Sequence, residues 1–276
     1  MGGSQLTVTQ TLEGVTSENT KITVTDSTAP DATKLNTLTD QDTKVSGTGE
    51  PDTTVKIVVD GKEVGSGKVD DQGNYKVDIP KQPVGKEVIV TLTDATGNTS
   101  QPTKQIVEDK TAPDAPKVDP VTDQNTKVTG IGEKGSIVKV VVDGKEIGSG
   151  KVDNQGNYTV DIPKQPGGAE LIVTLIDAAG NESQPTKQNV EDKTAPDVPK
   201  VNPVMDQDTK VTGTGEKGAK VSVVVEGKEI GMGTVDDQGN YTVDIPKQPV
   251  GKEVIVTLTD AAGNTSQPTT TKVQSR

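Results

Sequence analysis

Phenylalanine, tryptophan, cysteine and histidine do not occur in this chain of 276 residues, and tyrosine occurs three times. Each absence removes a class of chemistry. Without histidine there is no ordinary general base near neutral pH and no imidazole metal ligand. Without cysteine there is no thiol nucleophile, no disulfide and no zinc–thiolate site. Serines and acids are plentiful, but with no histidine beside them a hydrolytic constellation has little support. Disulfides would have pointed outside the cell, whereas their absence does not point inside. No apolar run approaches the ~20 residues of a membrane span. A basic stripe is missing too. The 29 lysines and arginines are interleaved with 41 acids for a net charge of −12, so nucleic acid is a poor partner.

What remains is an aliphatic, valine-rich chain with a repeat. The tetrapeptide Thr-Ala-Pro-Asp opens at Thr28, Thr111 and Thr194, 83 residues apart each time, and such periodicity decides the architecture before any site is read. Acidic linkers precede the later copies: Glu108-Asp109-Lys110 and Glu191-Asp192-Lys193. The expected domains are therefore a leader over 1–27 and repeats over 28–110, 111–193 and 194–276. In the leader, Met1-Gly2-Gly3-Ser4 reads as a cloning scar rather than a signal peptide. Leu6-Thr7-Val8-Thr9 and Lys21 to Asp26 parallel Val88 to Leu92 and Lys104 to Asp109, so the rest reads as the last hairpin of a preceding copy. A lone hairpin is marginal in water and should dock or fray. The chain is expected to be part of something longer. A unit of this size buries roughly 60 to 70% of its unfolded surface, enough for one compact core and too little for a deep cavity.

Within each repeat the apolar residues follow period two, the strand signature. In the second, Lys117-Val118 and Thr126 to Thr129 flank a turn at Asp123-Gln124-Asn125. Val138, Val140 and Val142 then alternate up to Asp143-Gly144, a hairpin dipeptide because glycine accepts positive φ. A return strand over 145–152, a turn at Asn154-Gln155-Gly156-Asn157 and an inward row of Tyr158, Val160 and Ile162 follow, ended by Pro163. Leu171, Val173 and Leu175 face the core; their neighbours Ile172, Thr174 and Ile176 align with Thr-rich positions in the other repeats and face water. A turn at 177–181 and a last strand near 187–190 complete about seven strands. The fold class is all-β: tandem seven-stranded immunoglobulin-like sandwiches, end to end as a rod. Tyr75, Tyr158 and Tyr241 fall at inward positions. They fit core packing with the hydroxyl on a backbone carbonyl, against the alternative of stacking on a ligand.

The run Leu175-Ile176-Asp177-Ala178-Ala179-Gly180-Asn181-Glu182-Ser183, repeated at Leu92 to Ser100 and Leu258 to Ser266, resembles the tandem bacterial Ig-like domains of cell-surface adhesins and biofilm-associated proteins. The resemblance covers nearly the whole chain. It implies a non-catalytic extracellular stalk that holds a functional tip away from the cell, in a protein anchored to the cell wall. The alternative is an adhesion module whose repeats each bind a host protein or glycan weakly and act through avidity. Neighbouring repeats of the same chain are the implied partners, a host or cell–cell adhesion partner is unknown, and a monomer is expected.

No cofactor is required, but several such adhesins carry Ca²⁺ at the joints between domains. The hard oxygen donors at the matching pole are Asp26, Glu50, Asp52 and Asp94 for the first repeat, Glu108, Asp109, Glu133 and Asp177 for the second, and Glu191, Asp192, Glu216 and Asp260 for the third. Two readings stand side by side: these acids coordinate Ca²⁺ between domains, or they cap their own turns and remain solvated. A Lys–Asn isopeptide bond is not expected, because every lysine falls at an outward or loop position. A thioester would need cysteine.

Overall fold

The computed structural model describes residues 4–276, which form strands and connecting loops with no helix among them. Met1, Gly2 and Gly3, three of the four residues expected to be a scar, lie outside the described residues. The rest pack as two compact units, one running to Ala112 and taking in Ala178–Asn181, the other Pro113–Asp177 with Glu182–Arg276.

The first unit opens with an exposed hairpin, β1 (Gln5–Val8) against β4 (Thr20–Thr23), with β2 (Thr11–Leu12) and β3 (Val15–Thr16) at its tip. Leu6 lies opposite Ile22, the register in which Val88 lies opposite Gln105. Leu6 is 55% exposed where Val88 is fully buried. Then follow β5 (Lys34–Leu35), β6 (Lys44–Thr48), β7 (Thr54–Val59), β8 (Lys62–Lys68), β9 (Asn74–Asp78), β10 (Glu87–Thr93) and β11 (Thr103–Ile106). One sheet has the order β11-β10-β7-β8 and the other β5-β6-β9. Successive side chains on a strand point to opposite faces. Val55, Ile57 and Val59 of β7 therefore meet Val88, Val90 and Leu92 of β10 inside, while Lys56 faces out. The turn from β7 to β8 is Asp60-Gly61 with φ of 50° and 77°, the pair of left-handed residues a two-residue hairpin needs.

The second unit holds two such cores. Its strands are β12 (Lys117–Val118), β13 (Val121–Thr122), β14 (Lys127–Ile131), β15 (Ile137–Val142), β16 (Lys145–Lys151), β17 (Asn157–Asp161), β18 (Glu170–Ile176) and β19 (Thr186–Glu191), then β20 (Lys200–Val201), β21 (Lys210–Thr214), β22 (Lys220–Val225), β23 (Lys228–Thr234), β24 (Asn240–Asp244), β25 (Glu253–Thr259) and β26 (Thr269–Lys272). The sheets are β13-β19-β18-β15-β16 over β12-β14-β17, and β23-β22-β25-β26 over β20-β21-β24. Val138, Val140, Leu171, Val173 and Leu175 are fully buried, as the alternation requires.

Each sandwich is closed along one side by a strand that passes from one sheet toward the edge of the other. In β8 this needs bare backbone. A Cβ at Gly65 would stand 2.6 Å from the carbonyl of Asp78, closer than any side chain tolerates.

The tyrosines are core residues. Tyr158 and Tyr241 donate their hydroxyls to the carbonyls of Lys117 and Lys200, each at 2.9 Å. In the first repeat Thr33 stands where the others have Pro116 and Pro199, and Tyr75 meets its hydroxyl at 2.8 Å instead. Burial pushes the Tyr241 hydroxyl up to about 12, and raises Tyr75 and Tyr158 as well. With the rings buried, no face is left for a ligand to stack on.

Candidate functional site at the linker segments

The segment Asp192-Lys193-Thr194 follows β19 directly, and in the second unit it is gripped from two sides. Asp123, the residue after β13, donates its N–H to the carbonyl of Glu191 at 2.9 Å. The Asp123 carboxylate accepts the N–H of Lys193 at 2.9 Å and the hydroxyl of Thr194. Gln124 adds a bond from its amide to the carbonyl of Lys193 at 3.0 Å. These donors explain why Asp123 is held below the usual carboxylate range, the Thr194 hydroxyl contributing most and the Lys193 N–H next.

From the other side comes Asn264. Its side-chain amide has two hydrogens, and they go to different places: Asp260 Oδ2 at 2.9 Å and the carbonyl of Asp192 at 3.2 Å. Asp260 is itself fixed, accepting the N–H of Asn264 at 2.8 Å. Asp260 thus caps its own turn and aims the amide that clasps the linker. Its carboxyl is lowered chiefly by the Asn264 amide.

The first unit repeats the pattern. Asp40 accepts the N–H of Lys110 at 2.8 Å and the hydroxyl of Thr111. Asn181 donates to the carbonyl of Asp109 at 3.3 Å. At the leader, Asn98 donates to the carbonyl of Asp26 at 3.1 Å and to Asp94 Oδ2 at 2.7 Å. Desolvation pushes the Asp94 carboxyl up, but bonds from Asn98 and Thr96 outweigh it and hold it at about 2.

The acids expected as calcium donors are distributed as follows. Asp94 and Asp260 sit at the clasps, their carboxylates accepting bonds from Asn98 and Asn264; Asp177 occupies the matching place at the start of its loop. Asp26, Asp109 and Asp192 contribute carbonyls to the clasps, and each uses its carboxylate on an N–H two residues ahead, that of Thr28, Thr111 or Thr194 at 3.0 Å. Glu50, Glu133 and Glu216 offer backbone carbonyls to Thr53, Ser136 and Ala219. Asp52 sits in its turn with its N–H on the carbonyl of Val69. Glu108 is bridged to Thr39, and Glu191 pairs with Lys193 at 3.3 Å. Among the described residues no group of three or more acidic side chains converges as a metal site would. The structure brings Asp26 and Asp192 against the loops that carry Asp94 and Asp260, but the contact is made by an asparagine, as it is between Asn181 and Asp109.

Asn98, Asn181, Asn264, Asp40 and Asp123 are not among the site residues the sequence points to, although Asp123 and Asn181 fall in expected turns. The signal was there: an asparagine four residues after the aspartate in each Asp-Ala-x-Gly-Asn run, and an Asp-Gln pair at 40, 123 and 206.

This chain belongs to the bacterial Ig domain family, which matches it over residues 29–109, 112–192 and 195–275. Among curated proteins it is similar to the cell wall-associated protease of Bacillus subtilis (strain 168), 31% identical over 159 residues, 57% of this chain. The chain spans 18% of that relative's length. Among solved structures, it is similar to the BSP domain of a biofilm-associated protein (TM-score 0.31, 13% identity, covering 90% of this chain and 66% of that one). Another is a 1.5-MDa bacterial ice-binding adhesin studied for host cell surface retention (TM-score 0.32, 21% identity, 84% and 89%). No helix among the described residues is long and apolar enough to cross a membrane.

Proposed function

We propose that these repeats are a non-catalytic structural spacer in an extracellular, cell-wall-associated bacterial protein. They set a distance between the cell and whatever the rest of the protein carries. The observation behind this reading is the clasped linker. In the second unit, Asp192-Lys193-Thr194 is held by Asp123 and Gln124 on one side and by Asn264 on the other. Pro196 then fixes its own φ two residues later. A linker that is bonded on both sides and followed by proline transmits orientation, where a glycine–serine tether would not. The family and the cell-wall association named for the relative support the location. That relative's proteolysis is not carried over to a chain without histidine or cysteine.

Calcium is not required in this reading, because protein hydrogen bonds already hold the linker. Ca²⁺ prefers six to eight oxygens. A rise in melting temperature in saturating Ca²⁺ over chelator would assign the joints to metal instead.

Small-angle scattering of the whole chain tests the spacer. Strands of ~7 residues at ~3.3 Å each, stacked with their loops in series, give a maximum dimension on the order of 100 Å or more. A compact globule would overturn the proposal.

A further inference from the structure

In every repeat a short stretch that follows the first strand runs parallel to the stretch at or just past the end of the last strand. Val121 and Thr122 of β13 pair with Val190 and Glu191 of β19 in the second repeat. Thr39 bridges Glu108 in the first, and Met205 bridges Gln274 in the third, in the same sense. The backbone bonds are alike: Glu108 N–H to Leu38 and Asp40 N–H to Glu108, and Gln274 N–H to Val204 and Asp206 N–H to Gln274, all at 2.9 Å.

The ladder then ends, and a side chain continues it. Two residues past the last paired residue of the C-terminal stretch, the Asp40 carboxylate takes the N–H of Lys110 at 2.8 Å, that of Asp123 the N–H of Lys193 at 2.9 Å, and that of Asp206 the N–H of Arg276 at 3.2 Å. Asp40 and Asp123 also take the hydroxyls of Thr111 and Thr194.

We infer that this parallel pair with its carboxylate extension is a shear clamp, and that load-bearing under tension is a built-in function of each repeat. The inference rests on the spacer reading, in which force enters at one end of the chain and leaves at the other. Tension draws β13 back toward the N-terminus and β19 forward toward the C-terminus. Because the two strands are parallel, the pull lies along the strand axis and loads every bond between them at once. An antiparallel hairpin pulled at its open ends yields one pair at a time. The strand before the clamp does not relieve it. β12 is two residues long, and detaching it still leaves β13 in series with the load. Asp123 adds two charge-assisted bonds at the place where force enters from Lys193, and such bonds are stronger than neutral ones.

The test is single-molecule stretching of the whole chain at constant force, with a cysteine handle at each end; the chain has no cysteine of its own. Forced unfolding follows the unfolding rate. Asp123→Ala should speed one unfolding step at fixed force on the order of tenfold, the loss expected for charge-assisted bonds. Thr194→Val, which removes only the hydroxyl, should give a smaller effect of the same sign and serves if Asp123→Ala does not fold. Moving the handles to K134C and N154C pulls β15 from β16 across their open ends. In that geometry the second repeat should yield at lower force, and neither substitution should matter.

Equal rates for the variants and the unmodified chain under end-to-end load would overturn the clamp. So would the same acceleration in both pulling geometries, which would mark a general loss of stability. Scattering separates the two proposals. A compact chain sinks the spacer and leaves the stretching rates to judge the clamp.

Discussion

Thr53, the buried last residue of an exposed turn in the first repeat, donates its hydroxyl to the carbonyl of Glu50 at 2.6 Å. The second repeat has Ser136 at that place. Its backbone N–H reaches Glu133 at 3.2 Å, yet its hydroxyl is buried with no partner. The third repeat carries Ala219 there and buries it equally well. A buried hydroxyl without a hydrogen bond costs about 1 to 3 kcal/mol. Ser136→Ala should therefore stabilise the second repeat, by about 1 kcal/mol once the small loss of packing is subtracted. Urea denaturation with a reporter in that repeat reads it. A destabilised variant would mean that the hydroxyl is satisfied in solution.

Asp52 adopts a φ of 64°, whereas the matching residues in the other repeats are Gly135 and Gly218 at 86° and 81°. An L-residue in this left-handed region carries a steric cost on the order of 1 kcal/mol, somewhat less for aspartate. Asp52→Gly should raise the melting temperature of the first repeat, and Gly135→Asp should lower that of the second. A pair of shifts with the same sign would refute the backbone explanation.

Much of this architecture is legible in the sequence because it is local. Val138, Val140 and Val142 mark a strand by alternation, and the structure buries all of them. Asp143-Gly144 marks the hairpin, and both residues have positive φ. The clasps are different in kind. Asp123 meets Thr194 across 71 positions and Asn264 meets Asp192 across 72, so neither partner announces the other to a nearby window. Composition is ambiguous as well. Acids near a linker suggest a cation, but composition does not say which of them also accept a bond from an amide. The glycines of β8 and β16 were equally silent. Only the approach of β9 and β17 gives Gly65 and Gly148 their reason.

The clasps carry a pH signature. Asp94 has its carboxyl held at about 2 in the fold against an ordinary value of 3.8. Asp40, Asp123 and Asp260 are lowered too. A group depressed on folding stabilises fully above its unfolded value and loses that contribution as pH falls through its folded one. Melting temperature should be flat above pH ~5 on this account and fall between ~4 and ~2. Asn98→Ala removes a main donor to Asp94, so the carboxyl should titrate nearer its ordinary value. Side-chain carboxyl NMR reads this residue by residue. An unchanged Asp94 titration would show that Thr96 and the backbone suffice without the asparagine.

In each repeat one glycine leaves no room for a Cβ between a backbone carbonyl and the tyrosine of the neighbouring strand. In the second, Gly130 pairs with Tyr158 across β14 and β17, and a Cβ on Gly130 would overlap both the Tyr158 hydroxyl and the carbonyl of Lys117. The first obstacle is the end of a side chain, its ring carbon Cζ as well as the hydroxyl; the second is backbone held in β12. Tyr158→Phe removes only the hydroxyl bond to Lys117 and should cost about 1 to 2 kcal/mol. Gly130→Ala should cost more, on the order of 3 kcal/mol or above, since β12 must shift to make room. Combining them tests whether the hydroxyl is the main obstacle. If the Tyr158 hydroxyl were the main clash, Tyr158→Phe would rescue Gly130→Ala, and the double variant would be about as stable as Tyr158→Phe alone. With the Lys117 carbonyl or the ring itself as the limit, the costs stay close to additive. We expect near-additivity, read as ΔΔG from urea denaturation of the second repeat in the whole chain.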